Sequence, residues 1–131
     1  MKILIAEDDF TSRLLLLTLL KNYGQIDIAM NGREAVEAVR LAMEAGKYYD
    51  LICLDIMMPE MDGQQALKAI RNLEETHGIL LSHGAKIMMI TALDDLKNVG
   101  AAYHSLCDAY LTKPIHKAKL LEELRKLMLI I

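Results

Sequence analysis

Five short runs of apolar residues recur along the chain, separated by longer segments with a different pattern. The runs are Lys2 to Ala6, Asp27 to Met30, Leu51 to Leu54, Lys86 to Ile90 and Ala109 to Leu111. Each run is too short to be a helix, and near-continuous apolar runs are typical of strands that are buried on both faces. The pattern therefore predicts five buried β-strands.

The segments between these runs place apolar residues three and four positions apart, as amphipathic helices do. The first contains four consecutive leucines, Leu14 to Leu17, and stops at Gly24. This density of leucine predicts a helix that is packed on most of its sides. The next two helices are predicted to open at Asn31 and Asp62, because each of these residues can cap a helix and is followed three positions later by Glu or Gln.

Two more helices complete the alternation of strands and helices. One is predicted over about Leu96 to His104, and the last follows Pro114. The core side of the last helix is expected to hold Leu120, Leu121, Leu124, Leu127 and Met128. Strands that alternate with helices predict an α/β fold, with a parallel sheet covered by helices on both faces. In such sheets ligands bind at the carboxyl ends of the strands.

Length and charge narrow the range of functions. The 131 residues are enough for one domain, and a net charge of -3 with interspersed signs does not fit a nucleic-acid surface. No signal peptide or membrane span is apparent, so we expect a cytoplasmic protein. Cys53 and Cys107 lie among apolar neighbours, where reduced thiols are expected.

Polar side chains gather where the predicted strands end. They are Glu7, Asp8, Asp9, Asp55, Thr91 and Lys113. Clustered carboxylates repel one another unless a cation neutralises them, and hard oxygen ligands suit Mg²⁺. A carboxylate can also be a nucleophile toward phosphorus when cationic groups offset the charge. The alternative is that each of these residues merely caps a helix or solvates a loop.

The order and spacing of these segments resemble the receiver domains of two-component response regulators over essentially the whole chain. The matching motifs are Glu7-Asp8-Asp9, Leu54 to Pro59, Met61-Asp62-Gly63, Thr91-Ala92 and Lys113-Pro114. The resemblance implies a flavodoxin-like doubly wound sheet of strand order 2-1-3-4-5, with residues 1–131 as a single receiver domain and no output domain. It also implies a phosphoacceptor that takes a phosphoryl group from a histidine kinase or phosphotransfer protein and then contacts a downstream target protein.

The resemblance further assigns roles to individual residues. Asp55 matches the phosphoacceptor, Asp9 a direct Mg²⁺ ligand and Asp8 a more indirect one, whereas Glu7 receives no ligand role. Met57 matches the position whose backbone carbonyl binds the metal. The remaining matches are Thr91 and Lys113, which contact the phosphoryl oxygens, Tyr110, which forms a switch with Thr91, and the Lys113-Pro114 bond, which is cis in the family.

Three alternative functions fit the sequence less well. A phosphatase of the haloacid dehalogenase type would need a second Asp at the position that Met57 occupies. A receiver-like module that has lost phosphorylation usually lacks one of the site residues, and a nucleotide-binding enzyme would need a Gly-rich loop after the first strand. The resemblance therefore favours a phosphoacceptor that assists its own phosphorylation and dephosphorylation and is not otherwise an enzyme.

One connection is longer than in the shortest members of the family. It runs from Glu74 to Ala85 and contains Leu80 and Leu81. We expect these leucines to fold back onto the core, and a partner-binding patch is the alternative.

Overall fold

The computed structural model describes residues 1–80, 83–92 and 106–131. Five parallel strands form one sheet, in the order β2-β1-β3-β4-β5. They are β1 (Lys2–Ala6), β2 (Gln25–Ala29), β3 (Leu51–Asp55), β4 (Lys86–Thr91) and β5 (Ala109–Thr112). The predicted fold class and strand order are confirmed. The helix predicted over Leu96 to His104 lies outside the described residues, as does Leu81.

Four helices connect or follow these strands in the described part of the chain. They are α1 (Phe10–Leu20), α2 (Gly32–Glu44), α3 (Gly63–Thr76) and α4 (Lys117–Lys126). The predicted caps are confirmed, since Asn31 and Asp62 each accept a hydrogen bond from the backbone three residues later. Of these two helices, α3 has the full capping box, whereas in α2 the Glu34 carboxylate accepts from the Met30 amide.

Two hydrophobic cores lie on opposite faces of the sheet. One joins α2 and α3 to strand residues such as Leu4, Ile52 and Leu54. The other joins α1 and α4 to the alternating residues of the same strands, such as Ile3 and Cys53. Successive side chains point to opposite faces, so a strand between two helix layers must be apolar at every position. This is why the strands appear in the sequence as continuous apolar runs.

Several apolar side chains are more exposed than the sequence predicted. Helix α1 is not packed on most sides, because only one stripe of it meets the sheet: Leu16 is buried, whereas Leu14 is 50% exposed. Met128 is 89% exposed, since α4 ends at Lys126 and Met128 follows with a positive φ of 61°. Leu80 is 67% exposed, so the expectation that it folds onto the core is wrong.

A buried ionic cluster fixes the amino-terminal ends of β4 and β5. The Arg71 guanidinium, which is 6% exposed, bonds the carboxylates of Glu74 at 2.6 Å and Asp108 at 2.9 Å. It also donates to the carbonyl oxygens of Leu106 and Ala85. One guanidinium thereby ties α3 to the starts of two strands. These are the strands that carry Thr91 and Tyr110 further along.

Other expectations concern the thiols and the membrane. Cys53 and Cys107 are not joined by a disulfide bond, in agreement with the expected reduced thiols. Within residues 1–80, 83–92 and 106–131, no helix has the length and apolar character needed to cross a bilayer.

Candidate functional site

The carboxyl ends of four strands deliver the polar residues to one edge of the sheet. Glu7 and Asp8 follow β1, Asp55 ends β3, Thr91 ends β4 and Lys113 follows β5. The register of the central strands makes these ends meet, because Asp55 lies opposite Ile90, the neighbour of Thr91. A parallel sheet thereby collects residues that are up to 106 positions apart in sequence, the separation of Glu7 and Lys113.

Three carboxylates converge at this edge. Glu7, Asp8 and Asp55 each offer an oxygen within 4.8 Å of the other two. Glu7 and Asp55 are buried, at 1% and 5% exposure, whereas Asp8 is exposed. The group fits a divalent cation, since hard cations take carboxylate oxygens and three clustered acids require a compensating charge.

Asp9 does not belong to this group. Its carboxylate caps α1 by accepting a hydrogen bond from the Ser12 amide at 2.9 Å, and this bond lowers the pKa of the Asp9 carboxyl. The structure thus places Asp9 at the cap of α1, and it places Glu7, to which the sequence assigned no ligand role, inside the acidic group. The signal that could have shown this is the position of Glu7 directly after β1, where its amide still bonds to Ala29 of β2.

Lys113 is the cation of the site. Its ammonium nitrogen lies 2.6 Å from Glu7 Oε1 and 3.2 Å from Asp55 Oδ2. Burial disfavours its charge, but the hydrogen bond to Glu7 and the charge of Asp55 outweigh this, so the pKa of Lys113 is raised. The Lys113-Pro114 peptide bond is cis, as the resemblance implied.

One ammonium does not satisfy two buried carboxylates. Burial is the largest cause that raises the pKa of Glu7 to about 8, and the neighbouring Asp55 carboxylate acts in the same direction, against the opposing effect of Lys113. Glu7 Oε2 and Thr91 Oγ1 are both buried and have no hydrogen-bond partner among the described residues. An acceptor and a donor left unpaired at one sheet edge fit a ligand that brings both a cation and an oxyanion.

The Asp55 carboxylate is held at both oxygens. Oδ1 accepts a hydrogen bond from the Met57 amide at 3.2 Å, and Oδ2 accepts one from Lys113. The Met57 side chain is 60% exposed, whereas Asp55 is 5% exposed. A fixed orientation favours attack by a nucleophilic carboxylate.

Tyr110 lies on β5 and pairs with Met89 of the neighbouring strand β4. The pairing of these two strands ends two residues later, at Thr91 and Thr112. It packs against the core on the α2 and α3 face together with Cys107. Burial, and then the Cys107 thiol, raise the pKa of the Tyr110 hydroxyl. The residue thus occupies a half-buried position on β5, separated from Asp55 by strand β4.

The fold and the site together define a class of protein: a doubly wound α/β domain with an acidic, lysine-containing pocket at the switch point of its sheet. Comparison with known proteins makes the class specific. Residues 3–125 match the family described as the response regulator receiver domain, and the chain belongs to this family. It is a receiver domain of two-component phosphorelay signalling.

Relatives in sequence include much longer histidine kinases. Hybrid signal transduction histidine kinase B from Dictyostelium discoideum is 37% identical over 131 aligned residues, which cover 95% of this chain and 6% of that protein. The chain spans between 5% and 13% of the length of four histidine-kinase relatives. The similarity is therefore to one segment of each kinase.

Solved structures give the same family. One is the Saccharomyces cerevisiae co-crystal of the histidine phosphotransfer signaling protein Ypd1 with the receiver domain of Ssk1 (TM-score 0.78, 27% identity, 100% of this chain and 92% of that chain). Another is the CheX-CheY-BeF3-Mg2+ complex of Borrelia burgdorferi (TM-score 0.76, 26% identity, 97% of this chain and 88% of that chain).

Proposed function

We propose that Asp55 is the phosphoacceptor of this receiver domain and that it takes its phosphoryl group from a phosphohistidine. The observation that carries the proposal is the fixed, buried Asp55 carboxylate, held by the Met57 amide and Lys113 beside two further acids. The donor is a histidine kinase or a phosphotransfer protein. The co-crystal of the similar Ssk1 receiver with Ypd1 supports this class of donor.

The transfer exchanges one bond to phosphorus for another. A carboxylate oxygen of Asp55 forms a P–O bond as the P–N bond to the donor imidazole breaks, and the released imidazole takes a proton from solvent. Lys113 moves its charge from the acid pair toward the phosphoryl oxygens, and the Thr91 hydroxyl donates to one of them. The modification is stoichiometric, so the chain assists its own phosphorylation and dephosphorylation without being a conventional enzyme.

The residues that would hold Mg²⁺ are Asp8, Asp55 and the backbone carbonyl of Met57, with Glu7 completing the acidic group. We assign the carboxylate role to Asp8 in place of Asp9, because Asp9 is engaged as the cap of α1. The unpaired Glu7 Oε2 supports a cation at this position. When bound, Mg²⁺ supplies positive charge that offsets both the acids and the transferring phosphoryl group.

The conformational response to phosphorylation involves Thr91 and Tyr110. The buried Thr91 hydroxyl has no hydrogen-bond partner among the described residues, so a phosphoryl oxygen can recruit it without breaking an existing bond. Movement of β4 at Thr91 changes the space beside Tyr110 on β5, which shifts an equilibrium between two positions of the tyrosine. The affected face would bind the downstream target protein, and it includes Tyr110 and residues 115–124.

The test is covalent labelling of the intact protein. Acetyl phosphate with Mg²⁺ should add one phosphoryl group to the wild type, as measured by intact-mass spectrometry, and Asp55→Asn should not be modified. Asp62→Asn is the matched control, because Asp62 is a capping aspartate of α3 outside the acidic group. Equal modification of Asp55→Asn and wild type would contradict the assignment.

A further inference from the structure

Arg13 lies on α1 beside the acidic loop that follows β1. Its Nη1 atom is 3.2 Å from the carbonyl oxygen of Glu7 and 3.3 Å from that of Asp8. We infer that Arg13 is a positioning residue: it holds the backbone of Glu7 and Asp8 so that their carboxylates meet Asp55, and thereby sets the affinity of the site for a divalent cation. This inference rests on the proposed function and extends it to a residue outside the acidic group.

The position of Arg13 in its helix explains how it reaches the loop. Helical side chains tilt toward the helix amino terminus, so a long side chain one turn into α1 can extend back over the preceding residues. A positive charge there opposes the helix dipole, and α1 has no acidic residue in its first turn to offset it. The charge is instead placed against two carbonyl oxygens and the neighbouring acids.

The hydrogen bonds of the loop show what Arg13 adds. The Glu7 amide donates to Ala29 of β2, and the Asp9 carboxylate accepts from Ser12. These bonds fix the two ends of the loop, but they do not restrain the carbonyl groups of Glu7 and Asp8. Arg13 donates hydrogen bonds to both of these carbonyl oxygens. Rotation of either peptide group would swing a carboxylate away from Asp55, and repulsion among the acids favours such rotation.

A second contact restrains the guanidinium itself. Its central carbon lies 5.5 Å from the centroid of the Phe10 ring, a distance typical of a cation–π contact. Phe10 is 66% exposed, so its ring lies on the outer surface of α1, where the Arg13 guanidinium packs against it. A side chain that is fixed at two points loses less freedom when it holds the loop, which suits a positioning role.

The sign of the effect separates positioning from simple charge. Removing a cation beside an acidic site should, by Coulomb's law alone, tighten Mg²⁺ binding. If Arg13 positions the loop, Arg13→Met should weaken Mg²⁺ binding instead. We expect a dissociation constant about fivefold higher, equivalent to about 1 kcal/mol for the loss of the two carbonyl bonds.

The experiment is a Mg²⁺ titration of the full chain followed by amide NMR shifts. Arg13→Met should bind about fivefold more weakly than wild type, and Arg13→Lys, which keeps one donor nitrogen, should fall between them. Arg33→Met is the matched control, because Arg33 is an exposed arginine near the start of α2 that makes neither carbonyl contact. It should bind as tightly as wild type or more tightly.

A second measurement, amide hydrogen exchange, tests the role of Arg13 without metal. In Mg²⁺-free buffer, the amides of residues 7–9 should exchange faster with solvent in Arg13→Met than in Arg33→Met, while the strand amides of β3 remain unchanged. Unaltered or tighter Mg²⁺ binding in Arg13→Met would overturn the inference, as would unchanged exchange in the loop. Failure of Asp55 to accept a phosphoryl group would contradict the proposed function, but it would leave these two measurements of Arg13 interpretable.

Discussion

Substitution of Glu7 by Gln tests how the site behaves without metal. The side chain is 1% exposed and lies 2.6 Å from Lys113, so burial and ion pairing act on it in opposite directions. Burial is the larger effect, and together with Asp55 it raises the pKa of Glu7 from 4.5 to about 8. Gln is nearly isosteric with a protonated Glu. Glu7→Gln therefore mimics the form that the folded, metal-free protein favours at neutral pH.

The direction of the effect on stability follows from proton binding. Between pH 4.5 and about 8 the unfolded chain has lost the Glu7 proton while the folded chain keeps it, so stability falls as pH rises. The full pKa difference corresponds to about 5 kcal/mol. The adjacent Lys113 ammonium and local relaxation reduce this figure. As pH rises through this range, we expect the free energy of unfolding of wild type to fall by about 2 kcal/mol relative to that of Glu7→Gln.

The assay is urea unfolding followed by far-ultraviolet circular dichroism in EDTA, at about pH 5 and about pH 8.5. Titrating groups far from Glu7 affect both proteins alike, so the difference between the two proteins isolates Glu7 together with Lys113 and Asp55, which interact with it. Glu7→Gln should match wild type at the lower pH and be more stable at the higher pH. If Glu7→Gln is instead less stable at about pH 8.5, the ion pair with Lys113 outweighs burial and the reasoning is refuted.

Three further predictions concern the metal and the far end of the sheet. Mg²⁺ binding at about pH 7 should release a proton from Glu7, seen as a dependence of the calorimetric heat on buffer ionisation that Glu7→Gln lacks. Asp8→Ala should weaken Mg²⁺ binding more than about tenfold and leave the melting temperature unchanged. Asp9→Ala should lower the melting temperature by about 3 °C and have little effect on Mg²⁺ binding. The opposite pattern in the two variants would identify Asp9 as the metal ligand. Arg71→Met should cost about 3 to 5 kcal/mol in urea unfolding because it leaves Glu74 buried without its cation, and a second change, Glu74→Gln, should recover part of that loss.

The strands and helix caps could be predicted from the sequence because local chemistry determines them. Apolar runs such as Leu51 to Leu54 are buried on both faces, and Asp62 with Gln65 forms the capping box that their spacing indicated. The run Leu14 to Leu17 led to the wrong prediction that α1 is packed on most sides, since residue types alone do not show how much of a helix the sheet covers. The start of β2 at Gln25 was also missed, because pairing with Lys2 of β1 extends a strand beyond its apolar residues.

The site was predictable as a set of residues but not as a geometry. Asp55, Lys113 and Asp8 lie together as expected, because the ends of parallel strands share one edge. Which of three consecutive acids turns inward depends on where β1 stops and where α1 is capped. That distinction is set by single hydrogen bonds, such as the one from Ser12 to Asp9, which residue order does not reveal.

The ionic cluster around Arg71 has a consequence for protein engineering. The Glu74 carboxylate accepts from the Ala85 amide at 2.7 Å, and Arg71 donates to the Ala85 carbonyl at 2.9 Å, so the long connection is clamped where it leaves and rejoins the fold. At Gly84 an added Cβ would lie 2.4 Å from the Glu74 carboxylate, which keeps the base of the clamp closed to larger residues. These anchor points lie at the amino-terminal end of β4, at the opposite end of that strand from Thr91. A fluorophore attached at Leu80, which is 67% exposed in this connection, should therefore leave the acidic group undisturbed.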